Sequence, residues 1–178
     1  MNTSLKLIVE SLLFAGSEPL TPRQIRSLLP GKNLKEIKQV LKELKNEYET
    51  MKRSFLLKEV AEGYQFRSLP LYRPYIANML SLTPSRLSRA ALETLSIIAY
   101  KQPIIKQEIE RLRGVDIAGI LRMLLKKGLI RIAGRKSLPG RPIIYGTTGK
   151  FLELFDLKNL SSLPTLKEIE ELGDGEEG

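Results

Sequence analysis

Slid along itself by 84 residues, the chain matches its own pattern. Ile8 falls on Leu92, Ser11 on Leu95, Ala15 on Ala99, Pro19 on Pro103, Ile25 on Ile109 and Leu28 on Leu112. Apolar positions at helical spacing and one punctuating proline coincide through two successive helices, which points to duplication of one supersecondary unit. The unit is clearest in its second copy, residues 87–148. Ser88 stands as an N-cap between Leu87 and Leu92, a hydrophobic staple. Leu92, Leu95, Ile98 and Ala99 then share a face, and Pro103 ends the helix. A short second helix carries Ile109 and Leu112. Asp116 is placed to cap a third, whose Ile117, Ile120, Leu121, Leu124 and Leu125 repeat at helical spacing before Gly128 stops it. Two β-rich runs, 129–133 and 142–148, flank the loop GRKSLPGR. Three helices followed by a ribbon is the winged-helix form of helix-turn-helix. The expected fold class is therefore mainly α with small β-wings, as two tandem winged-helix domains.

In the first copy Thr21, Pro22 and Gln24 make a capping box with proline at N1. The second copy has Ile105 where that cap should stand. Asn33 and Glu36 start a longer third helix, in which Leu34, Ile37, Leu41, Leu44, Tyr48 and Met51 alternate spacings of three and four. Such a run suits a helix–helix seam between two chains or plain packing within one domain. A first wing is expected over 55–60 and 64–69, turning through Ala61, Glu62 and Gly63. Pro70, Pro74 and Pro84 bracket a short helix in a connector of limited flexibility. The expected domains are 1–80 with the connector, 84–160, and an acidic, disordered tail over 161–178.

Chemistry is excluded more readily than it is found. The 178 residues include no Cys and no His, which removes disulfides, thiol catalysis, zinc clusters and the commonest general base. GDGEEG in the tail has the letters of a dinucleotide-binding loop without a strand before it or a helix after it. No phosphate-binding loop exists, because Gly149-Lys150 is followed by Phe151 and Ile144 stands where the first glycine belongs. No cofactor and no metal is expected. The segment MNTSLKLIVESLLFAG is read as a core helix, not a secretory signal, since Glu10 interrupts its apolar run. With no membrane span in view, the cytoplasm is the expected location.

Charge supplies the one positive signal. The last fourteen residues hold six acids and one lysine, so the other 164 carry 28 cations against 14 acids. From Arg122 to Lys150 there are eight cations (Arg122, Lys126, Lys127, Arg131, Arg135, Lys136, Arg141, Lys150) and no acid. They fall on the third helix and the wing, where DNA readers of this fold make contact. Yet the exposed positions of that helix offer no Asn, Gln, Ser or Thr to read bases. Sequence-specific DNA reading, nonspecific nucleic-acid contact and protein recognition all stay open on these residues alone.

Particular strings narrow the choice. Ala91-Leu92-Glu93-Thr94-Leu95, Ala99-Tyr100-Lys101-Gln102-Pro103, Arg113-Gly114-Val115 and Pro139-Gly140-Arg141-Pro142 through Tyr145-Gly146-Thr147-Thr148 resemble segregation and condensation protein B of bacteria. The likeness is close over most of 87–160 and looser over 5–70. It implies a non-catalytic accessory subunit of the bacterial condensin: a homodimer, joined mainly through its N-terminal domain, that holds a kleisin subunit (segregation and condensation protein A) and through it the SMC ATPase. A cytoplasmic place on the nucleoid follows from that role. The expected dimer seam is Leu34, Ile37, Leu41, Leu44 and Tyr48. The expected partner surface is Arg122, Met123, Lys126, Lys127, Arg135, Lys136, Arg141 and Tyr145, with DNA contact at most weak and nonspecific. The alternative is a winged-helix transcriptional regulator that binds DNA directly.

Overall fold

The structure is a computed structural model that describes residues 4–81, 86–165 and 168. The first unit runs α1 (Leu5–Ala15), α2 (Pro22–Leu28), α3 (Leu34–Thr50), then the antiparallel ribbon β1 (Phe55–Val60) and β2 (Gly63–Ser68). Helix starts are set locally. The Gln24 amide donates to Thr21 Oγ1 at 3.2 Å while Gln24 Oε1 accepts from the Thr21 amide at 2.8 Å. Asn33 and Glu36 repeat the exchange at 2.9 and 2.8 Å. Each cap contributes about 1 kcal/mol. The apolar stripes then meet: Val9, Leu13, Ile25, Ile37, Val40, Leu41, Leu44 and Leu57 form one buried cluster. At its edge Tyr48 packs on Phe66, ring centres 4.7 Å apart, and its hydroxyl donates to Glu10 Oε1 at 2.6 Å. That carboxylate acceptor, helped by burial, pushes the Tyr48 phenol up to about 12.

The first wing turns one residue earlier than expected. Only Ala61 and Glu62 lie in the turn, both at positive φ (50° and 61°), and Gly63 pairs with Val60 inside the ribbon. Packing explains the shift. A Cβ on Gly63 would sit 2.8 Å from the Leu20 carbonyl carbon, so glycine is needed where two backbones cross, not where the chain turns. Leu20 makes a bridge to Tyr64 there, with amide–carbonyl distances of 3.0 and 2.9 Å.

The connector forms a 3-10 turn, Pro70–Tyr72, and helix α4 (Arg73–Met79). The second unit is α5 (Arg89–Lys101), β3 (Ile104–Ile105), α6 (Lys106–Arg113), α7 (Ala118–Lys126), β4 (Ile130–Arg135), β5 (Ile143–Thr147) and α8 (Gly149–Leu154), with sheet order β3-β5-β4. Ser88 caps α5 through the Ala91 amide at 3.2 Å. Gly128, at φ 70°, ends α7: its amide donates to Leu125 O and that of Leu129 to Leu124 O. The strand β3 is new relative to the sequence reading, and it accounts for Ile105. The chain enters α6 from a strand, and Glu108 alone closes half a capping box by accepting from the Ile105 amide at 3.2 Å. Asp116 accepts from Ala118 at 3.2 Å, in a short turn ahead of α7. Leu95, Ile98, Ile109, Ile117, Leu121, Leu124, Ile130 and Phe151 centre the second buried cluster.

The two units touch through the first wing. The amides of Ala61 and Glu62 donate to Leu157 O and Lys158 O at 2.9 and 2.7 Å. Arg67 donates to the Glu153 carbonyl at 3.2 Å and lies 3.3 Å from Asp156, which also pairs with Lys58, while Lys158 meets Glu59 at 3.0 Å.

The expected disordered tail needs correction at its start. Leu160–Ser162 form a 3-10 turn, Leu163 packs on the second core, and the Tyr100 hydroxyl donates to Pro164 O at 2.8 Å. Leu163 and Pro164 thus have an apolar and a polar anchor that the boundary at 161 overlooked. Of that tail, 166, 167 and 169–178 lie outside the described residues, as do 82–85 of the connector.

Candidate functional site

The strings that mark the sequence hold the fold. Glu93 on α5 pairs with Arg113 at the end of α6 and with Arg89 at 3.0 Å, linking two of those strings. Gln102 links two more: its Oε1 accepts from the Thr147 amide at 2.7 Å and its Nε2 donates to Thr147 Oγ1 at 2.9 Å. A Cβ at Gly146 would press on that same Gln102 oxygen at 2.9 Å. These contacts order a corner, and among the described residues no group of three or more His, Cys, Asp or Glu could hold a metal ion.

Three of the expected seam residues are not available to a second chain. Ile37, Leu41 and Leu44 are 0% exposed, packed within their own unit by α1, α2 and β1. Leu34 and Tyr48 are half-buried, and Tyr48 is held by Glu10 and two phenylalanines. The alternating stripe on α3 is a core stripe. Exposed apolar groups lie elsewhere: Phe14 (81%) on α1, and a run of Leu71 (75%), Tyr75 (74%), Met79 (74%) and Leu80 on the 3-10 turn, α4 and the residue that follows it. A seven-residue helix is marginal on its own, and packing of one face normally supplies what propensity does not. Exposed faces of this kind mark interaction sites.

The expected partner surface divides. Tyr145 is 8% exposed and packs in the second core, paired across β5 with Ile104 and Ile132, so it is corrected from contact to core. Met123 is half-buried against the same core, which leaves it a reduced outer face. Arg122 and Lys126 lie exposed on α7, and Arg122 Nε donates back to Ala118 O at 3.4 Å. Lys127, the residue capping the C-terminal end of α7, is half-buried. On the wing, Arg135 donates to Arg141 O at 3.1 Å, bracing the loop. Lys136 reaches Glu108 on α6 at 2.8 Å, and this ammonium, with the Ile105 amide, holds the Glu108 carboxyl below its ordinary range. Wing cations are therefore partly engaged in fixing the wing to α6.

Sequence reasoning missed two further features. One is the exposed face of α4, carried by Leu71, Tyr75, Met79 and Leu80 in the connector. The other is a cavity of about 520 Å³ where the first ribbon meets α8. Among the described residues no helix is long and apolar enough to cross a membrane.

Comparison with known proteins agrees in kind. A family model described as segregation and condensation complex subunit ScpB matches residues 7–166. Segregation and condensation protein B of Syntrophotalea carbinolica is 48% identical over 168 residues, covering 94% of this chain and 85% of the relative. The segregation and condensation protein B homolog of Coxiella burnetii is 42% identical over 171 residues, covering 94% and 81%. Among solved structures, ScpB from Mycobacterium tuberculosis is 28% identical, with 85% of this chain and 94% of that chain covered and a TM-score of 0.40. A dimer of an ScpB N-terminal domain complexed with ScpA peptide is 32% identical, with 42% and 91% covered and a TM-score of 0.37.

Proposed function

The chain belongs to the segregation and condensation protein B (ScpB) family, and from that premise we propose that it is a non-catalytic accessory subunit of a bacterial condensin, a homodimeric adaptor that holds the kleisin and through it the SMC ATPase. The observation that carries the reading is the family match over 7–166 together with 48% identity to a named relative. The residues favour an adaptor. The chain has no His or Cys, its marked strings brace a corner of the fold, and α7 lacks side chains that read bases. Two tandem winged-helix domains give such an adaptor two surfaces on one short chain. DNA contact is secondary in this reading, weak and nonspecific, because several cations of the wing already have protein partners. The place of action is the cytoplasm, on the nucleoid.

The homodimer seam is assigned to α4 in place of α3. Leu71, Tyr75, Met79 and Leu80 follow one another along one short stretch and are left uncovered by the core, whereas other exposed apolar groups of the first half, Leu7, Phe14, Leu28 and Met51, are spread over three helices and their ends. The test is co-purification of the full chain with the kleisin from the same genome, followed by sedimentation. The expected result is a complex containing two copies of this chain. Tyr75→Glu with Met79→Glu should yield a monomer with an unchanged melting temperature. Failure of the kleisin to co-purify would remove the adaptor reading, and a dimer that survives the double substitution would move the seam again.

A further inference from the structure

The third helix of the first unit carries what α7 lacks. Opposite the buried Ile37, Val40, Leu41 and Leu44, the outer line of α3 runs Lys35, Gln39, Lys42 and Asn46, all exposed. Lys38, also exposed, stands beside them. Spacing decides which lysines here are free. Lys32 and Lys45 each have a glutamate four residues on and lie 3.9 Å from it. At three and four residues to either side of Lys35, Lys38 and Lys42 the chain has only Lys, Gln, Asn, Leu and Gly. Among the described residues none of these three lysines has an acidic partner. Lys38 is three residues from Lys35 and four from Lys42, a like-charge spacing that disfavours the helix and that an anion laid over it would relieve. The acids of α3 are engaged elsewhere: Glu36 with the Asn33 amide and Lys32, Glu47 with Lys6, Glu49 with Lys45, while Glu43 accepts from the Gln39 side chain at 2.8 Å. Helix α2, packed against α3, adds the exposed Arg23 and Arg26.

We propose that this face of α3 is a surface for duplex DNA, its lysines on backbone phosphates and its two amides toward base edges or further phosphate oxygens. It gives the adaptor's secondary DNA contact a place in the first unit, away from the basic run of the second, and it stands whether or not a kleisin binds. In a helix-turn-helix, α3 holds the position of the helix that enters the major groove. From Lys35 to Asn46 it extends about 16 Å, enough to meet both walls of a groove about 12 Å wide. The deep, narrow major groove of duplex RNA would not admit it. An amphipathic peptide or a bilayer would need an apolar strip, and half-buried Leu34 is the apolar residue that lines the shallow depression here, among Lys35, Lys38, Gln39 and Lys42. Carboxylates of an acidic protein would satisfy the lysines, but Gln39 and Asn46 between them offer the paired donor and acceptor that base edges match. The first wing is turned to the second unit and brings no second set of contacts, so the binding is led by phosphates and tolerant of sequence.

The test is fluorescence anisotropy of a labelled duplex of mixed sequence with the full chain, repeated as sodium chloride is raised. Lys35→Glu with Lys42→Glu should weaken binding by roughly tenfold or more and flatten the dependence of log affinity on log salt by about 2. Arg122→Glu with Lys126→Glu, the same change of charge on α7, should cost less than threefold. All four positions are exposed, and a melting curve checks the fold. If the glutamate pair on α3 perturbs folding, Lys35→Gln with Lys42→Gln replaces it, with a loss in the same direction. Equal losses from the α3 and α7 pairs would overturn the site, since overall charge would then explain the binding. Absence of wild-type binding at low salt would overturn it too, and would leave the adaptor reading untouched. Poly-glutamate should displace the duplex poorly; displacement at equal charge concentration would give the face to an acidic protein instead.

Discussion

In the first unit the ribbon ends in a two-residue turn, and the amides of that turn are donated to Leu157 and Lys158 of the second unit. In the second unit the ribbon ends in the loop 136–142, where Arg135 just before it is braced by Arg141 O and Lys136 by Glu108. One wing has become a contact within the chain, and the other still faces outward. The third helices diverge too. α3 has 17 residues and buries Ile37, Leu41 and Leu44 completely, whereas α7 has nine and buries Leu121 and Leu124. The shared frame has diverged: the first copy turns its ribbon to its sister unit, and the second leaves its ribbon's charged end exposed.

The largest expected effect tests whether α3 is core or seam. Leu41→Ala should cost about 3 kcal/mol in chemical denaturation at any protein concentration, as cavity-forming substitutions do. Leu124→Ala should cost about as much in the second unit. A Leu41→Ala loss that appears only on dilution would restore α3 to the dimer interface.

Next in size are the two ribbon glycines. Gly63→Ala would force a Cβ onto the Leu20 backbone, and about 2–3 kcal/mol is expected from such overpacking. Gly146→Ala meets only the end of the Gln102 side chain, which can turn aside, so its cost should be visibly smaller. Equal losses would mean that the Gln102 corner is as rigid as the backbone crossing.

How much of this was legible in the chain follows from range. Caps and stops are written within four residues, so Thr21, Asn33, Ser88 and Gly128 announce themselves. An apolar stripe at spacings of three and four says that a face is covered, not by what. That is why Ile37, Leu41 and Leu44 read equally as seam or core. Tyr145 failed likewise, since its burial depends on Ile104, some forty residues before it. The interunit contacts join positions about 90 apart and leave no local signal at all, and the exposure of Tyr75 and Met79 on α4 shows only in the folded chain.

A smaller effect separates the two units by pH. Tyr48→Phe removes a hydrogen bond to Glu10 and should cost about 1 kcal/mol at neutral pH. The phenol is raised from 10.0 to about 12, so its contribution is complete below pH 10 and is lost as pH rises through 12. The gap in melting temperature between wild type and variant should narrow over that window. A constant gap would show that the phenol gains nothing from holding its proton.

The smallest effect belongs to the outward wing. Arg131→Glu is expected to leave stability within about 0.5 kcal/mol, as exposed substitutions do. It should also reduce retention on a heparin column. A marked drop in stability would mean that this wing, like the first, is already docked.

The contact between the wing and α8 has a consequence for synthesis. Arg67 leaves the ribosome roughly 90 residues before Asp156. At about 5–20 residues per second, that interval is on the order of 5 to 20 s. Through that time the nascent first unit can be complete while Lys58 and Arg67 wait without their carboxylates, close to the ribosome's own polyanionic surface. The finished chain withdraws those cations from view only when α8 and Asp156 behind it arrive.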